Sequence, residues 1–460
     1  MAYKTYASPK SLSRRSFLRG SAAATSAAFL LPSLASAQTE GELLLWLPGG
    51  SDLFCKIHTG LLDGFSKTAA GITASKTVCG LGQDTEFTQA LIGAISSGSP
   101  PDISMLWDSP VSLGAQGAFM PLDDMMAASK ISIDTWPGGL LSSCQFKGVT
   151  YGLPVTAGVY SMWYNQELFE AKGIPSDRAS FPKTWVDLRK LSKEFTVWNG
   201  DRLEVAGFMP PRAPETMAVW SALNGGMLYD QDNLKYTIDS AQNVEMFTFF
   251  LDWFNEEYKG DINLIDRSGN FIDGYPNATT GLGPAFREGR QAGLQSGSWL
   301  MGDIYGDPVP TFTRWNVAGH PTGPSGTTSV SGVWPNWFVI PVGSKNPQAA
   351  FDYLAYLSTE GVVEWYQQIP DVPTNALVTP KPPTGLIEHR GEEFANDMTA
   401  FLSEQSAIVT PMWNSPVQSF GTDQIARAME KIYTKAATPA DALAEAQAAS
   451  QGELERVLAG

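Results

Sequence analysis

Tyr151–Phe169 reads YGLPVTAGVYSMWYNQELF. It is apolar enough for a strand, yet it carries three large rings, Tyr160, Trp163 and Tyr164. With a side-chain period of two, Val155, Ala157, Val159 and Trp163 point one way. Thr156, Tyr160, Met162 and Tyr164 point the other. One face reads as core, and the other as a wall of hydroxyls and rings. The stretch closes on NQELFEAKGIP, a short helix with Asn165 as cap, Gly173 as stop and Pro175 beyond.

Strands and helices alternate upstream. ELLLWLP (42–48), ITASKTV (72–78) and PDISMLW (101–107) read as strands. Between them, DLFCKIHTGLLDGFSKTA and DTEFTQALIGAISSG read as helices, the second capped by Asp84. This interleaving predicts parallel βαβ units and an α/β sheet. Ligands of such sheets sit beyond the carboxyl ends of the strands, which here carry WLPGGSD, CGLGQD and LWDSP. Downstream, Thr184 and Asp187 have capping-box spacing, Asn346 precedes Pro347 at a helix start, and Thr438–Pro439 opens a terminal Ala-rich helix.

At 460 residues, two lobes are expected. A composition 43% hydrophobic and 17% charged is that of a globular protein. Residues 1–37 read as an export signal. Lys4, Lys10, Arg14, Arg15 and Arg19 precede a short Ala/Ser-rich apolar run, and ASA precedes Gln38. SRRSFLRG (13–20) resembles the twin-arginine motif, which implies periplasmic delivery in a folded state. Pro32 and the shortness of the run argue against a membrane span. Cleavage near Ala37 removes five positive and no negative charges, taking the net charge from −16 to −21. So acidic a surface argues against nucleic acid or an anionic membrane as partner. Cys55 follows the first strand and Cys79 ends the second, so a bridge forms if those strands are neighbours; three buried thiols are the alternative.

His58, His320 and His389 have no His or Cys partner at metal-ligand spacing. No G-x-S-x-G elbow or dinucleotide fingerprint occurs. No cofactor and no metal site are therefore expected. With 47 acidic residues, chance carboxylate pairs keep a secreted glycoside hydrolase open as a distant alternative. The stronger signal is aromatic. Of fourteen Trp, several sit beside turn or polar residues: Trp46, Trp107, Trp299 in SGSWLMGD, Trp334 and Trp337 in GVWPNW, and Trp413 in PMWNSP. Indoles beside carboxylates and amides suit a sugar, whose C–H faces stack on rings while polar groups take its hydroxyls. A cationic ligand would suit them too, and core burial is the alternative for each.

Four segments, in order, resemble the extracellular solute-binding proteins of ATP-driven sugar importers, the maltose-binding-like family. They are PDISMLWDSP with AQGAFMPLDD, then YGLPVTAGVYSMWYNQELFEAKGI with FPKTWVDLRKL, then FREGRQAGLQSGSW, and finally GPSGTTSVSGVWPNWFVIPVGSKNPQAAFDYLAYLS. The resemblance implies a non-catalytic type II periplasmic binding protein fold with two α/β lobes and a ligand cleft between them. Lobe one is expected at 42–153 plus 318–368, and lobe two at 154–317 plus 369–460. The implied role is to capture a mono- or oligosaccharide as a monomer and deliver it to the permease subunits of an ABC importer.

The Tyr151–Phe169 strand then crosses between lobes, with Thr156 and Tyr160 facing ligand. Trp299 matches the stacking tryptophan, Asp108 and Ser109 a hydroxyl-binding loop, and Trp334 and Asn336 a turn that meets ligand. VWPNW departs from the family's glycines there, which implies a smaller pocket. Trp46, Gln83, Trp337 and Trp413 complete the expected set. Arg212, on the FMPPRAPE loop, keeps a phosphorylated polyol, sugar acid or cationic solute open as the alternative.

Overall fold

The computed structural model describes residues 41–82, 84–129, 131, 133–269, 271, 284–304, 310–410 and 414–459. The expected signal at 1–37, Gln83 and Trp413 lie outside them.

Nine strands build two sheets: β1 (Glu42–Trp46), β2 (Ala74–Val78), β3 (Ile103–Leu106), β4 (Leu153–Val159), β5 (Ser161–Asn165), β6 (Gly293–Ser296), β7 (Trp315–Ala318), β8 (Val333–Val339) and β9 (Val372–Pro373). The first sheet has the order β9-β4-β8-β3-β1-β2, and the second β6-β5-β7. β1 is parallel to β2 and β3, as the interleaved helices α1 (Asp52–Ser66) and α2 (Asp84–Ser96) require. β8 runs antiparallel to both β3 and β4, so the sheet is mixed. The second sheet is wholly antiparallel.

β4 and β5 are one continuous stretch that changes sheets at Tyr160. β4 stays in the first sheet to Val159, so the crossing comes later than the 153/154 boundary read from sequence. β9 pairs with β4, so the first sheet also takes residues from beyond 369. The physical reason is that antiparallel pairing to β8 continues from Leu153 to Val159, interrupted only by one bulge.

The alternation of the opening stretch is kept from Thr156 onward, but the bulge puts Val155 on the opposite side from Ala157 and Val159. Val155 packs with Leu43, Leu45, Ile103 and Met105 against α1 and a helix at Pro347–Tyr356 (α6). Ala157, Val159 and Trp163 join a cluster spanning both sheets, closed by Met398, Phe401 and Leu402 of a helix at Glu392–Ala407 (α7). The other face is not an open wall along its length. Tyr160, Met162 and Tyr164 enter the second lobe's core, with α4 (Trp185–Phe195), α5 (Ala241–Glu257), α8 (Gln418–Tyr433) and α9 (Pro439–Ala459). α3 (Gln166–Ala171) starts where Asn165 Oδ1 accepts from the backbone N–H of Glu167 and Leu168, at 2.9 and 3.4 Å.

Two caps differ from the sequence reading. At α4 the Asp187 N–H donates to Thr184 Oγ1, but the shorter Asp side chain accepts from the Thr hydroxyl at 2.8 Å instead of reaching the Thr backbone. At α6 Asn346 does not cap. Its Nδ2 donates to Glu42 O at 2.9 Å, while buried Asp102 accepts from the Lys345 and Asn346 backbone N–H groups.

Candidate functional site

The carboxyl end of β4 positions the site. Across the sheet Gly158 pairs with Trp334 and Thr156 with Asn336, and directly opposed residues share a face. Pairing then steps from Asn336–Thr156 to Trp337–Pro154, leaving Val155 over as a bulge. The extra residue is on β4, so β8 keeps its alternation, with Asn336 on the side of Phe338 and Trp337 on the side of Val339. Trp46 points to the side of Trp337, since its neighbours Leu43 and Leu45 take the opposite face. The structure thus sends Trp46 and Trp337 to one face of the first sheet and gathers Thr156, Trp334 and Asn336 on the other.

Trp299 reaches the same face from the second sheet. It follows β6, and its partly exposed indole lies over Gly158 and Gly297. Its ring meets Tyr160 edge to face, with centroids 5.7 Å apart and planes at 79°. Tyr160 is held in turn. Its N–H donates to Gly332 O at 2.9 Å, and its O accepts from Ser331 Oγ at 2.9 Å. Behind this point the strand is packed on α7; in front, three aromatic side chains converge where the two sheets join.

Not every expected residue offers itself to a ligand. Trp337 is 1% exposed, with its indole N–H donating to Ser143 Oγ at 2.7 Å, so it is core on the opposite face. Thr156 and Asn336 are also buried, and they serve each other. Asn336 Nδ2 donates to Thr156 Oγ1 at 2.8 Å and to Asp371 Oδ2 at 3.1 Å. Its Oδ1 accepts from Trp107 Nε1 at 3.0 Å. The amide is a brace joining β8, β4 and the loops after β3 and before β9. Ser109 is likewise committed locally, its Oγ donating to Ser143 O and accepting from the Val111 N–H. Asp108 stands exposed beside it. Arg212 is partly buried on a loop anchored where Tyr433 OH donates to Pro211 O at 2.8 Å.

Trp107, Asp371, Gly158 and Gly297 were not among the expected site residues. Trp107 had a signal, since it abuts Asp108 in the LWDSP loop. Asp371 had none, because its link to Asn336 exists only once β4, β8 and β9 are assembled.

Cys55 and Cys79 form a disulfide, with Cα atoms 6.2 Å apart. It joins the first turn of α1 to the end of β2. The adjoining loops are stitched together by the Gly49 N–H donating to Gly82 O at 2.7 Å. Cys144 is a buried thiol. Among the described residues no group of three or more His, Cys, Asp or Glu could hold a metal ion, and no helix is long and apolar enough to cross a membrane.

Buried titratable groups make stability pH-dependent. His58 lies against Phe54 and Trp365, with ring centroids at 4.5 and 4.3 Å, and neither ring nitrogen is hydrogen-bonded to a described residue. Gln295 Oε1 accepts from Trp220 Nε1, so its Nε2 donates to His320 Nε2 at 2.9 Å and the imidazole is the acceptor. Burial depresses both histidines to about 3. Each takes up a proton on unfolding below the ordinary value of about 6.5, so its contribution is full above that pH and is lost on acidification toward 3. Asp371 opposes this. Burial raises it to about 6, so its charge costs stability at neutral pH and that cost fades as pH falls through 6.

Of these three groups, two imidazoles against one carboxylate leave one net proton between about pH 6 and 4, a contribution of roughly 1 kcal/mol lost per unit of acidification, which Glu257, also raised by burial, opposes. Denaturant unfolding across that range should show the slope, and His58→Phe should flatten it by one proton. An unchanged slope in His58→Phe would mean that His58 is not the neutral buried base described.

Residues 65–385 match the family model described as bacterial extracellular solute-binding protein. The chain belongs to that family. Over 282 residues this solute-binding protein is 24% identical to a binding protein of Brucella abortus (strain 2308), covering 58% of this chain and 61% of that one. A Brucella suis biovar 1 binding protein matches to the same extent. The match spans about three fifths of the length of these curated relatives.

Among solved structures, CpMnBP1 with mannobiose bound has a TM-score of 0.69 at 22% identity, covering 89% of this chain and 99% of that one. The GacH receptor of Streptomyces glaucescens, solved unliganded and with acarbose, has 0.69 at 18%, covering 91% and 99%. An ABC substrate-binding protein of Listeria monocytogenes in complex with cycloalternan has 0.67 at 18%, covering 92% and 100%. At these identities the likeness shows the fold, the two-lobed α/β architecture expected from sequence.

Proposed function

We propose that this solute-binding protein captures a carbohydrate between its lobes, releases it unaltered, and hands it to the permease of an ATP-driven importer after export to the periplasm. The observation that carries the reading is the aromatic convergence at the join of the sheets. A partly exposed indole on one sheet stands over a strand of the other, beside Tyr160 and Trp334. A flat apolar ring with hydroxyl and amide groups nearby matches a pyranose, which presents C–H on its faces and hydroxyls at its rim. The solved relatives named above hold mannobiose, acarbose and cycloalternan, which supports the ligand class.

Mechanistically, a ligand touching both lobes favours the closed arrangement by its differential affinity for that state. Hinge closure around ligand is an established motion of periplasmic binding proteins. Tyr160 is the crossing residue in contact with Trp299, so ligand stacked there would be coupled to the crossing itself. The permease would then distinguish loaded from empty protein by shape. No chemistry on the sugar is part of this reading.

Trp299→Ala removes the platform. Stacking on an aromatic ring is worth roughly 1–3 kcal/mol, so affinity for a bound saccharide should fall by about 5-fold to 150-fold. Calorimetric titration measures it, and an unchanged Kd would take Trp299 out of the site.

A further inference from the structure

We infer that Gly158 and Gly297 are positioning residues which exist to seat the Trp299 ring at a fixed height over β4, and that this seat sets the carbohydrate affinity. The inference rests on the functional reading above for its second half only.

These glycines are not needed for backbone conformation. Neither has a positive φ, so neither backbone needs glycine's freedom. What each lacks room for is a side chain. A Cβ built on Gly158 would overlap Cζ3 and Cε3 of the Trp299 indole, and one on Gly297 would overlap Cζ3, Cε3 and Cη2. Two glycines from different sheets therefore press on the same edge of the same ring. One lies in β4 of the first sheet, and the other follows β6 of the second.

A third completes the set. A Cβ on Gly332 would overlap Cγ2 of Val219 first, and would lie 2.8 Å from Cδ2 of Tyr160, the ring that meets Trp299 edge to face. Close-packed interiors do not absorb a methyl group without moving something. Here the atoms that must move are the far edge of the indole, since the strands on either side are fixed by their ladders. An added methyl group would lift or turn the ring and change the gap it leaves for a ligand.

The test is a double-mutant cycle that needs no ligand. Gly158→Ala should lower Tm in the wild-type background and have little effect with Trp299→Ala. The same should hold for Gly297→Ala, which decides the matter if Gly158→Ala does not fold. Gly60→Ala, where a Cβ meets nothing within 4 Å, should show no coupling to Trp299 in either background. A Gly158→Ala or Gly297→Ala destabilisation that is equal with and without the indole overturns the seat.

The second measurement is calorimetric titration of folded Gly158→Ala with mannobiose and maltotriose. A loss of about 5-fold to 150-fold in affinity is expected, the equivalent of the 1–3 kcal/mol cost of overpacking. Coupling in the cycle with unchanged sugar affinity overturns the link from seat to ligand. If wild type binds neither sugar while the cycle shows coupling, the ligand class has failed and the seat stands.

Discussion

Asp102→Ala is expected to destabilise the protein by about 3–5 kcal/mol, the range for a buried charged group whose partners are stranded. The carboxylate is 0% exposed. Its Oδ2 accepts from the Leu44 N–H at 3.0 Å. Its Oδ1 accepts from Ser344 Oγ and from the N–H groups of Lys345 and Asn346, at 2.8, 3.0 and 2.9 Å. It thereby ties β1 to the turn that starts α6, and alanine would leave those backbone donors buried without an acceptor. Chemical denaturation of the variant measures the loss. Asp102→Asn should recover part of it, since an amide oxygen still accepts. A loss under 1 kcal/mol would mean that water replaces the carboxylate and that this tie is not structural.

Replacing Cys55 and Cys79 together by Ala is expected to cost about 3 kcal/mol. The bridge closes a loop of sequence separation 24, and the chain-entropy relation gives about 3.5 kcal/mol for that length, with strain or residual structure reducing it. Reduction of the wild type should reproduce the shift in Tm, and the double variant should no longer respond to reductant. Equal stability of variant and oxidised wild type would show that the bridge adds nothing. The same bridge holds together the loops at the carboxyl ends of β1 and β2, so a fall in ligand affinity should accompany the loss of stability.

The fold was legible because its decisive stretch obeys one local rule. Period-two alternation held from Thr156 to Tyr164 although the strand changes sheets at Tyr160, because the pleat continues through the crossing; Val155, the bulge residue, fell out of step. What alternation could not say is what each face meets. Met162 and Tyr164 share parity with Tyr160 and read as cleft, yet they face the second lobe's core. Caps within a few residues, such as Asn165, were readable. The Asp102 tie to Asn346 was not, since it spans a sequence separation of 244.

The site was legible by kind and less so by role. Trp299 and Trp334 stand at the join of the sheets with part of their surface exposed. Trp337 and Asn336 are adjacent in sequence, so an unbroken strand would send them to opposite faces. They do take opposite faces, since the bulge at Val155 lies in β4 and not in β8; burial makes one core and the other a brace. The glycines beneath Trp299 left no mark, since a missing side chain signals nothing until the ring above it is placed.

The account turns on reversible capture of a saccharide without chemistry. The direct measurement is calorimetric titration of the protein lacking residues 1–37 with mannobiose, maltose and maltotriose, alongside spermidine and glycerol phosphate, followed by mass analysis of the recovered solute. Saturable heat with at least one saccharide, little changed by salt, and recovery of that sugar intact is the predicted result. Heat only with the charged solutes, or cleavage of the sugar, would contradict it.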